Sequence, residues 1–157
     1  MRPMKTMIVG ALLAWVGVAT AATAGDWVVG TWTLNTAKST FAAGQGPKSQ
    51  TRTYSEDSDG TSVTVTGVGA DGSPISQQST FKYDGKAYAW SGSPDFDALT
   101  LKRVNGNTVT AVLMKAGKKV GATTRTITAK GKVLTLSSSV TGADGKTTKM
   151  VMVFDKQ

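Results

Sequence analysis

The sequence contains no cysteine and no histidine, and Glu56 is its only glutamate. Without cysteine there are no disulfide bonds and no thiol nucleophiles. Without histidine the chain lacks the commonest general base and the commonest transition-metal ligand. We therefore expect a non-enzymatic protein with no metal and no other cofactor. A chain of 157 residues without disulfides must be held together by its hydrophobic core, and this length suits one domain.

The few carboxylates stand in segments that are typical of loops. Asp95 and Asp97 are two positions apart, next to a glycine- and proline-containing stretch. Residues 56–60 partly resemble a calcium-binding loop but lack its closing glutamate. We interpret both segments as loops, and no catalytic or metal-binding residue is assigned.

The first 24 residues differ from the rest in composition. Arg2 and Lys5 form a positive segment, and an apolar segment follows at residues 7–18. This order is typical of a secretory signal peptide over residues 1–24. The alternative, an uncleaved membrane anchor, needs an apolar span of about 20 residues, and this one is shorter.

Two small-x-small triplets end at Ala21 and Ala24, and signal peptidases cleave after such triplets. We expect cleavage after one of these two residues and a periplasmic or secreted location. Residues 25–157 would then form the folded domain.

The net charge is +8, or +6 without the two basic residues of the leader. The lysines of the folded part gather at three predicted turns rather than in one run: Lys115, Lys118 and Lys119; Lys130 and Lys132; Lys146 and Lys149. Lysine is common at hairpin tips, where it keeps a β-protein soluble. An alternative is that these tips contact anionic lipid or polysaccharide of the cell envelope. Nucleic acid is not an expected partner, because no aromatic residues alternate with the lysines.

Turn-forming pairs recur about every dozen residues: Asp59-Gly60, Asp71-Gly72, Asp84-Gly85, Asn105-Gly106 and Asp144-Gly145. Such pairs favour the turns that join antiparallel strands. The intervening runs are rich in valine, threonine and aromatic residues and predict ten strands, at residues 26–35, 48–56, 61–68, 74–83, 86–91, 98–104, 108–115, 120–129, 133–140 and 146–154. One helical turn is predicted within residues 35–41, with Asn35 or Thr36 as its cap. The fold class is therefore all-β, as a sandwich or barrel.

The first predicted strand contains a Gly-x-Trp triplet. The two-residue period of a strand places Val28, Gly30, Trp32 and Leu34 on one face and Trp27 on the other. Because Gly30 has no side chain, it leaves room beside the ring of Trp32. We expect Trp32 to be buried.

Three later strands place polar groups on otherwise apolar faces. Gln77 shares a face with Phe81 and Tyr83. Arg103 shares one with Leu99 and Leu101, and Arg125 with Thr123 and Ile127. Buried in a dry core, these polar groups would lack partners. Either a barrel encloses a cavity that holds water or ligand, or a bulge shifts the register and turns them to solvent.

The Gly30–Leu34 segment resembles the opening strand of the calycins, the superfamily of lipocalins and fatty-acid-binding proteins. Residues 34–41, the run Leu101-Lys102-Arg103 and the Asp-Gly turns also resemble small secreted bacterial lipocalin-like proteins. The resemblance covers nearly all of residues 25–157. It implies an antiparallel up-and-down barrel of about 8–10 strands around a small apolar ligand.

In lipocalins an arginine covers the tryptophan of this triplet. The resemblance favours Arg125 for that role and leaves Arg103 to contact a ligand. The opposite assignment of the two arginines stays open. The predicted ligand-binding residues are Trp32, Phe81, Tyr83, Tyr88, Trp90, Arg103, Leu113 and Arg125. Fatty-acid-binding proteins end with an Arg-x-Tyr pair that binds a carboxylate. Here Met152-Val153-Phe154 occupies the corresponding positions, and these side chains cannot bind a carboxylate. The portal helices of that branch have no evident counterpart.

These observations favour a secreted or periplasmic binding protein, monomeric, with a small and largely apolar ligand inside its barrel. The alternative is the envelope-associated protein with basic hairpin tips. A third possibility, an outer-membrane barrel, is disfavoured because the strands are short and no aromatic girdles stand out. Integral insertion into a membrane is therefore not expected.

Overall fold

The structure is a computed structural model and describes residues 26–128 and 130–157. The predicted signal peptide lies outside the described residues. The described part forms ten strands and one short 3₁₀ helix, η1: β1 (Gly30–Leu34), η1 (Thr36–Lys38), β2 (Ser49–Asp57), β3 (Gly60–Val68), β4 (Pro74–Phe81), β5 (Asp84–Ala89), β6 (Ala98–Arg103), β7 (Thr108–Lys115), β8 (Lys118–Ile127), β9 (Val133–Thr141) and β10 (Thr147–Lys156). All ten predicted strands are present, and β7 has the predicted bounds. The predicted all-β class is confirmed.

The strands form one antiparallel sheet in the order β4-β3-β2-β1-β10-β9-β8-β7-β6-β5. Strand β1 pairs with both β2 and β10, so the first and last strands close the sheet into a barrel. The two edge strands, β4 and β5, meet at a seam. The backbones of Gln78 and Ser91 exchange two hydrogen bonds there, of 3.2 and 3.0 Å. The result is a nearly closed up-and-down barrel, as predicted.

Asp-Gly turns connect the strands as the sequence predicts. In the β9–β10 turn, Asp144 Oδ1 accepts a 3.0 Å hydrogen bond from the backbone of Lys146, and Gly145 has φ +77°. The side chain thus imitates a backbone turn, while glycine adopts a conformation that costs other residues free energy. The β3–β4 turn repeats this arrangement with Asp71, whose Oδ1 accepts a 2.9 Å hydrogen bond from the backbone of Ser73.

The predicted face of β1 is confirmed. Val28, Trp32 and Leu34 are buried in the core, whereas Trp27 is 39% exposed. The indole Nε1 of Trp32 donates a 2.7 Å hydrogen bond to the backbone oxygen of Val28, so its polar atom is satisfied inside the core.

Strand β1 is shorter than its prediction at residues 26–35. The chain first makes a turn in which Val29 N donates to Asp26 O over 3.0 Å. At the other end, Asn35 caps η1 by accepting a 3.1 Å hydrogen bond from Lys38 N. The predicted helical turn and its cap are therefore confirmed.

The connections of an up-and-down barrel alternate between its two ends. The β1–β2 segment and the β3–β4, β5–β6, β7–β8 and β9–β10 connections lie at one end, which we call the mouth. The remaining turns, the segment before β1 and the end of β10 lie at the other, which we call the closed end. Within the described ranges, no helix is long and apolar enough to cross a membrane.

Candidate functional site

The barrel encloses a cavity of about 460 Å³. This volume lies in the range of about 300–1,000 Å³ that is usual for small-molecule sites. Seven strands contribute to the wall: β2, β4, β6, β7, β8, β9 and β10. Trp90, which directly follows β5, also takes part. Of the two alternatives that the sequence left open, the structure shows the cavity.

The wall on the β6–β7 side is apolar. It consists of buried residues at two-residue spacing: Leu99 and Leu101 from β6, and Val109, Ala111 and Leu113 from β7. The alternate residues of these strands, which include Lys102 and Thr110, point outward. This side of the cavity can hold an apolar body without leaving polar groups unpaired.

Three connections line the mouth. The β1–β2 segment contributes Gln45 and Pro47, the β3–β4 turn contributes Asp71, and the β5–β6 loop contributes Asp95 and Phe96. Phe96 packs against Trp90, with ring centroids 5.4 Å apart. The cavity therefore opens between loops rather than between strands.

A buried pair on β2, Gln50 and Arg52, is the most polar part of the wall. Arg52 is only 9% exposed, and its Nε donates a 2.9 Å hydrogen bond to Gln50 Oε1. Its guanidinium lies 5.4 Å from the ring centroid of Phe154. No carboxylate of the described residues comes within 4.0 Å of this guanidinium. Residues 1–25 and residue 129 contain no acidic side chain.

Two further polar pairs line the cavity. Trp90 Nε1 donates a 3.1 Å hydrogen bond to Gln77 Oε1 next to the β4–β5 seam. On the opposite wall, the hydroxyls of Thr123 and Ser138 hydrogen-bond to each other. These groups satisfy one another and still present oxygen and nitrogen atoms at the cavity surface.

A charged network occupies the closed end. The carboxylate of Asp26, whose side chain is 5% exposed, accepts hydrogen bonds from Tyr83 Oη at 2.7 Å and Arg103 Nη2 at 2.9 Å. Arg125 Nη2 lies 3.7 Å from the same carboxylate and donates a 2.8 Å hydrogen bond to Tyr83 Oη. Two arginines thus share one carboxylate.

The network shifts the pKa values of its members. Burial alone would raise the pKa of Asp26, but hydrogen bonds from Tyr83 and Arg103 and the charge of Arg125 outweigh burial and lower it. Burial raises the pKa of Tyr83. Burial would lower the pKa of Arg125, yet its neighbours Tyr54, Tyr83 and Asp26 raise it. Asp26 and Arg125 are therefore both charged near neutral pH.

Four of the eight predicted ligand-binding residues line the cavity: Phe81, Trp90, Leu113 and Arg125. The others do not. Trp32 is buried in the core, where its indole bonds to Val28. Tyr83 belongs to the closed-end network. Tyr88 donates a 2.9 Å hydrogen bond to Asp84 Oδ2.

Arg103 and Arg125 also differ from their predicted roles. Arg103 is the last residue of β6, at the closed end, and its side chain is 38% exposed. Its guanidinium lies 4.3 Å from the ring centroid of Tyr83 and pairs with the carboxylate of Asp26. Arg125 lies over Tyr54 and Tyr83, and the cation over Trp32 is Lys156, 5.1 Å from the ring centroid. The prediction that Arg125 covers Trp32 is wrong, because the end of β10 pairs directly beside Trp32.

Gln50, Arg52 and Tyr54 are cavity residues that the sequence analysis missed. They share a face of β2 at two-residue spacing, and that spacing is the one signal that could have found them. The alternate residues are also polar, including Thr51 and Thr53. A strand that is polar on both faces does not reveal which face turns inward.

Of the two segments considered for catalysis, the one with Asp95 and Asp97 lies in the β5–β6 loop, as expected. Residues 56–60 differ from the expectation, because they form the ends of β2 and β3 with a two-residue turn between them. Asp97 Oδ2 accepts a 3.0 Å hydrogen bond from the backbone of Ala116, which ties the β5–β6 loop to the β7–β8 turn. Asp57 Oδ1 accepts a 2.8 Å hydrogen bond from the backbone of Asp59 in the β2–β3 turn. In the part of the chain that the structure describes, no three acidic residues gather as a metal site would require.

Among solved structures, the chain is similar to zebrafish ileal bile acid-binding protein complexed with cholic acid. The two share 16% sequence identity with a TM-score of 0.50, over 83% of this chain and 99% of the zebrafish chain. The similarity shows the fold. The chain is also similar to a redesigned β-barrel, mFAP1, bound to DFHBI, with 18% identity and a TM-score of 0.45 over 83% of this chain and 95% of that one. No protein-family profile and no curated protein sequence matches this chain.

Proposed function

We propose that this protein is an exported, non-enzymatic binding protein that holds one small, largely apolar ligand inside its barrel. The observation that carries the proposal is the cavity of about 460 Å³ with its apolar β6–β7 wall. A dry core would bring these side chains into contact with one another, since protein interiors are close-packed. An open cavity of this size instead matches the volume of a drug-sized molecule. The zebrafish protein of the same fold is complexed with cholic acid, which supports an amphipathic ligand of similar size.

The chemistry of the cavity surface supports binding rather than catalysis. Among the described lining residues, the carboxylates are Asp71 and Asp95, and both stand at the mouth. Asp71 already accepts hydrogen bonds from the backbone and hydroxyl of Ser73. Both bonds belong to the β3–β4 turn, so we interpret Asp71 as a turn residue.

Export is part of the proposal and depends on residues 1–24. The charged segment, the apolar segment and the small-x-small triplets support a cleaved signal peptide. We expect the mature chain to begin at Ala22 or Gly25. Intact-mass measurement of the exported protein tests this, and a mature chain that retains residues 1–18 would contradict it.

The test of binding uses Nile red, a neutral dye whose emission increases in apolar surroundings. We expect saturable binding with one site per chain. The Ala111→Phe substitution places a ring in the cavity and should abolish that site, because Ala111 is a buried wall residue. Ala122→Phe is the matched control, since Ala122 is exposed on the adjacent strand β8. Binding that is absent from the wild type, or equal in the two variants, would contradict a ligand-binding cavity.

The structure adds no support for the alternative function, contact with anionic lipid or polysaccharide through basic tips. The tips that carry Lys118 and Lys146 lie at the mouth, whereas the turn with Lys130 and Lys132 lies at the closed end. The basic groups therefore do not form one face. Washing a membrane fraction with salt tests this alternative. If salt releases the protein and Nile red does not bind it, contact with the envelope is the better account and the ligand-binding function is wrong.

A further inference from the structure

Arg52 is a buried cation without a buried counter-ion. Its side chain lines the cavity and is nine-tenths buried, and its Nε is used by Gln50. Burying a charge without a partner is costly, and a neutral amide compensates it only in part. The terminal nitrogens of the guanidinium remain available for an acceptor that enters the cavity.

The other two arginines of the described residues differ from Arg52 because each lies near a carboxylate. Arg103 and Arg125 share the carboxylate of Asp26, at 2.9 and 3.7 Å. Arg125 also donates to Tyr83. Because both arginines already face a carboxylate, whereas Arg52 faces none among the described residues, a ligand carboxylate gains less by approaching them than by approaching Arg52.

The surroundings of Arg52 hold its guanidinium in place. The guanidinium carbon lies over the ring of Phe154, 5.4 Å from its centroid, and Nε is held by the hydrogen bond to Gln50. Since Gln50 accepts through Oε1, its Nε2 is directed elsewhere as a second donor on the same wall. A planar guanidinium held in this way matches a carboxylate, which accepts two parallel hydrogen bonds.

We propose that the ligand carries a carboxylate that pairs with Arg52 inside the cavity, while its apolar body lies against the β6–β7 wall. This proposal rests on the proposed binding function and adds the chemical class of the ligand. It moves the anion contact from Arg103 and Arg125, the candidates of the sequence analysis, to a residue on β2.

The test compares two probes that differ in one group: 11-(dansylamino)undecanoic acid and its methyl ester. Both fluoresce more strongly in apolar surroundings, and only the acid carries a charge near neutral pH. We expect the wild type to bind the acid more tightly than the ester. Arg52→Met should weaken binding of the acid about 10- to 100-fold, as expected for loss of a hydrogen bond to a charged group. Binding of the ester should change little.

Arg103→Met is the matched control, because Arg103 has the same chemistry and lies outside the cavity. It should keep the preference for the acid. If the wild type binds both probes equally, or if Arg52→Met keeps the preference, the role of Arg52 is wrong while the binding function stands. If neither probe nor Nile red binds the wild type, the binding function itself is wrong.

A measurement on the wild type covers the case in which Arg52→Met does not fold. The Nε–Hε NMR signal of Arg52, assigned with Arg52→Lys, reports the surroundings of the guanidinium. We expect this signal to shift with saturation when the acid is added and to shift less with the ester. An unchanged signal during saturable binding of the acid would overturn the proposal.

Discussion

The hydroxyl of Tyr83 donates a 2.7 Å hydrogen bond to the carboxylate of Asp26. This contact joins the β4–β5 turn to the segment that precedes β1. Around it, Arg103 lies over the ring of Tyr83, and Arg125 bonds to the hydroxyl from inside the barrel. The closed end is therefore held by an ionic network rather than by apolar packing alone.

Replacing Asp26 with asparagine should destabilise the fold. The substitution leaves Arg125, which is buried, without its carboxylate. We expect the free energy of unfolding to fall by about 2–4 kcal/mol. This is toward the lower side of the range for a broken buried ion pair, because Arg103 is partly hydrated. Urea denaturation measures the loss. Asp59→Asn, at an exposed turn position, is the control and should cost much less; equal losses would show that the network does not stabilise the fold.

The contribution of Asp26 should depend on pH. Its pKa in the folded protein is lowered from the ordinary value of 3.8, since hydrogen bonds and the arginines outweigh burial. An acid with a lowered folded pKa contributes stability above its unfolded pKa, and this contribution is lost as the pH falls through the folded value. We expect the stability difference between wild type and Asp26→Asn to be constant above about pH 5 and to shrink below about pH 4. A difference that grows with acid would contradict this assignment.

Trp32 and Trp27 should differ strongly in their contribution to stability. Trp32 is fully buried and Trp27 is 39% exposed. Trp32→Ala should cost about 3–5 kcal/mol, the range for a large buried aromatic residue. Trp27→Ala should cost clearly less. Denaturant titration of both variants decides the point, and equal costs would mean that the face of β1 is assigned incorrectly.

Trp90 should report ligand binding through its fluorescence. Of the tryptophans at positions 27, 32 and 90, Trp90 is the one that lines the cavity. A bound Nile red molecule should therefore quench tryptophan emission in the wild type, and most of this quenching should be lost in Trp90→Phe. Trp27→Phe provides the comparison, because its ring is at the surface of the closed end near Gly131. Quenching that survives in Trp90→Phe would place the dye outside this cavity.

Local sequence patterns were sufficient to predict the strands, with every bound except the start of β1 within two residues of the observed one. A turn such as Asp144-Gly145 depends on residues within a few positions, so its chemistry can be read directly. The burial of Trp32 followed from alternation within one strand, because apolar and polar residues there occupy different faces. Ten short strands with tight turns indicated a sandwich or a barrel, and the resemblance of the first strand to that of the calycins favoured the barrel.

The partners of charged groups were decided by the tertiary structure. Asp26 and Tyr83 are separated by 57 positions, and no local pattern relates them. The same holds for Lys156, which reaches Trp32 because β10 pairs with β1 when the barrel closes. Alternation tells which side chains share a face, but only the closure of the sheet determines what that face meets.

Arg52 shows this limit most clearly. The sequence determined that Gln50, Arg52 and Tyr54 share one face of β2, and it left open whether that face turns inward, because the opposite face is polar as well. Pairing with β1 on one side and β3 on the other directs Arg52 to the interior, next to Phe154. The sequence by itself thus determined the strands and the turns and limited the fold to a sandwich or a barrel. Only the tertiary structure decided which cation lies uncompensated in the cavity, since charge compensation depends on distances between strands that are remote in the chain.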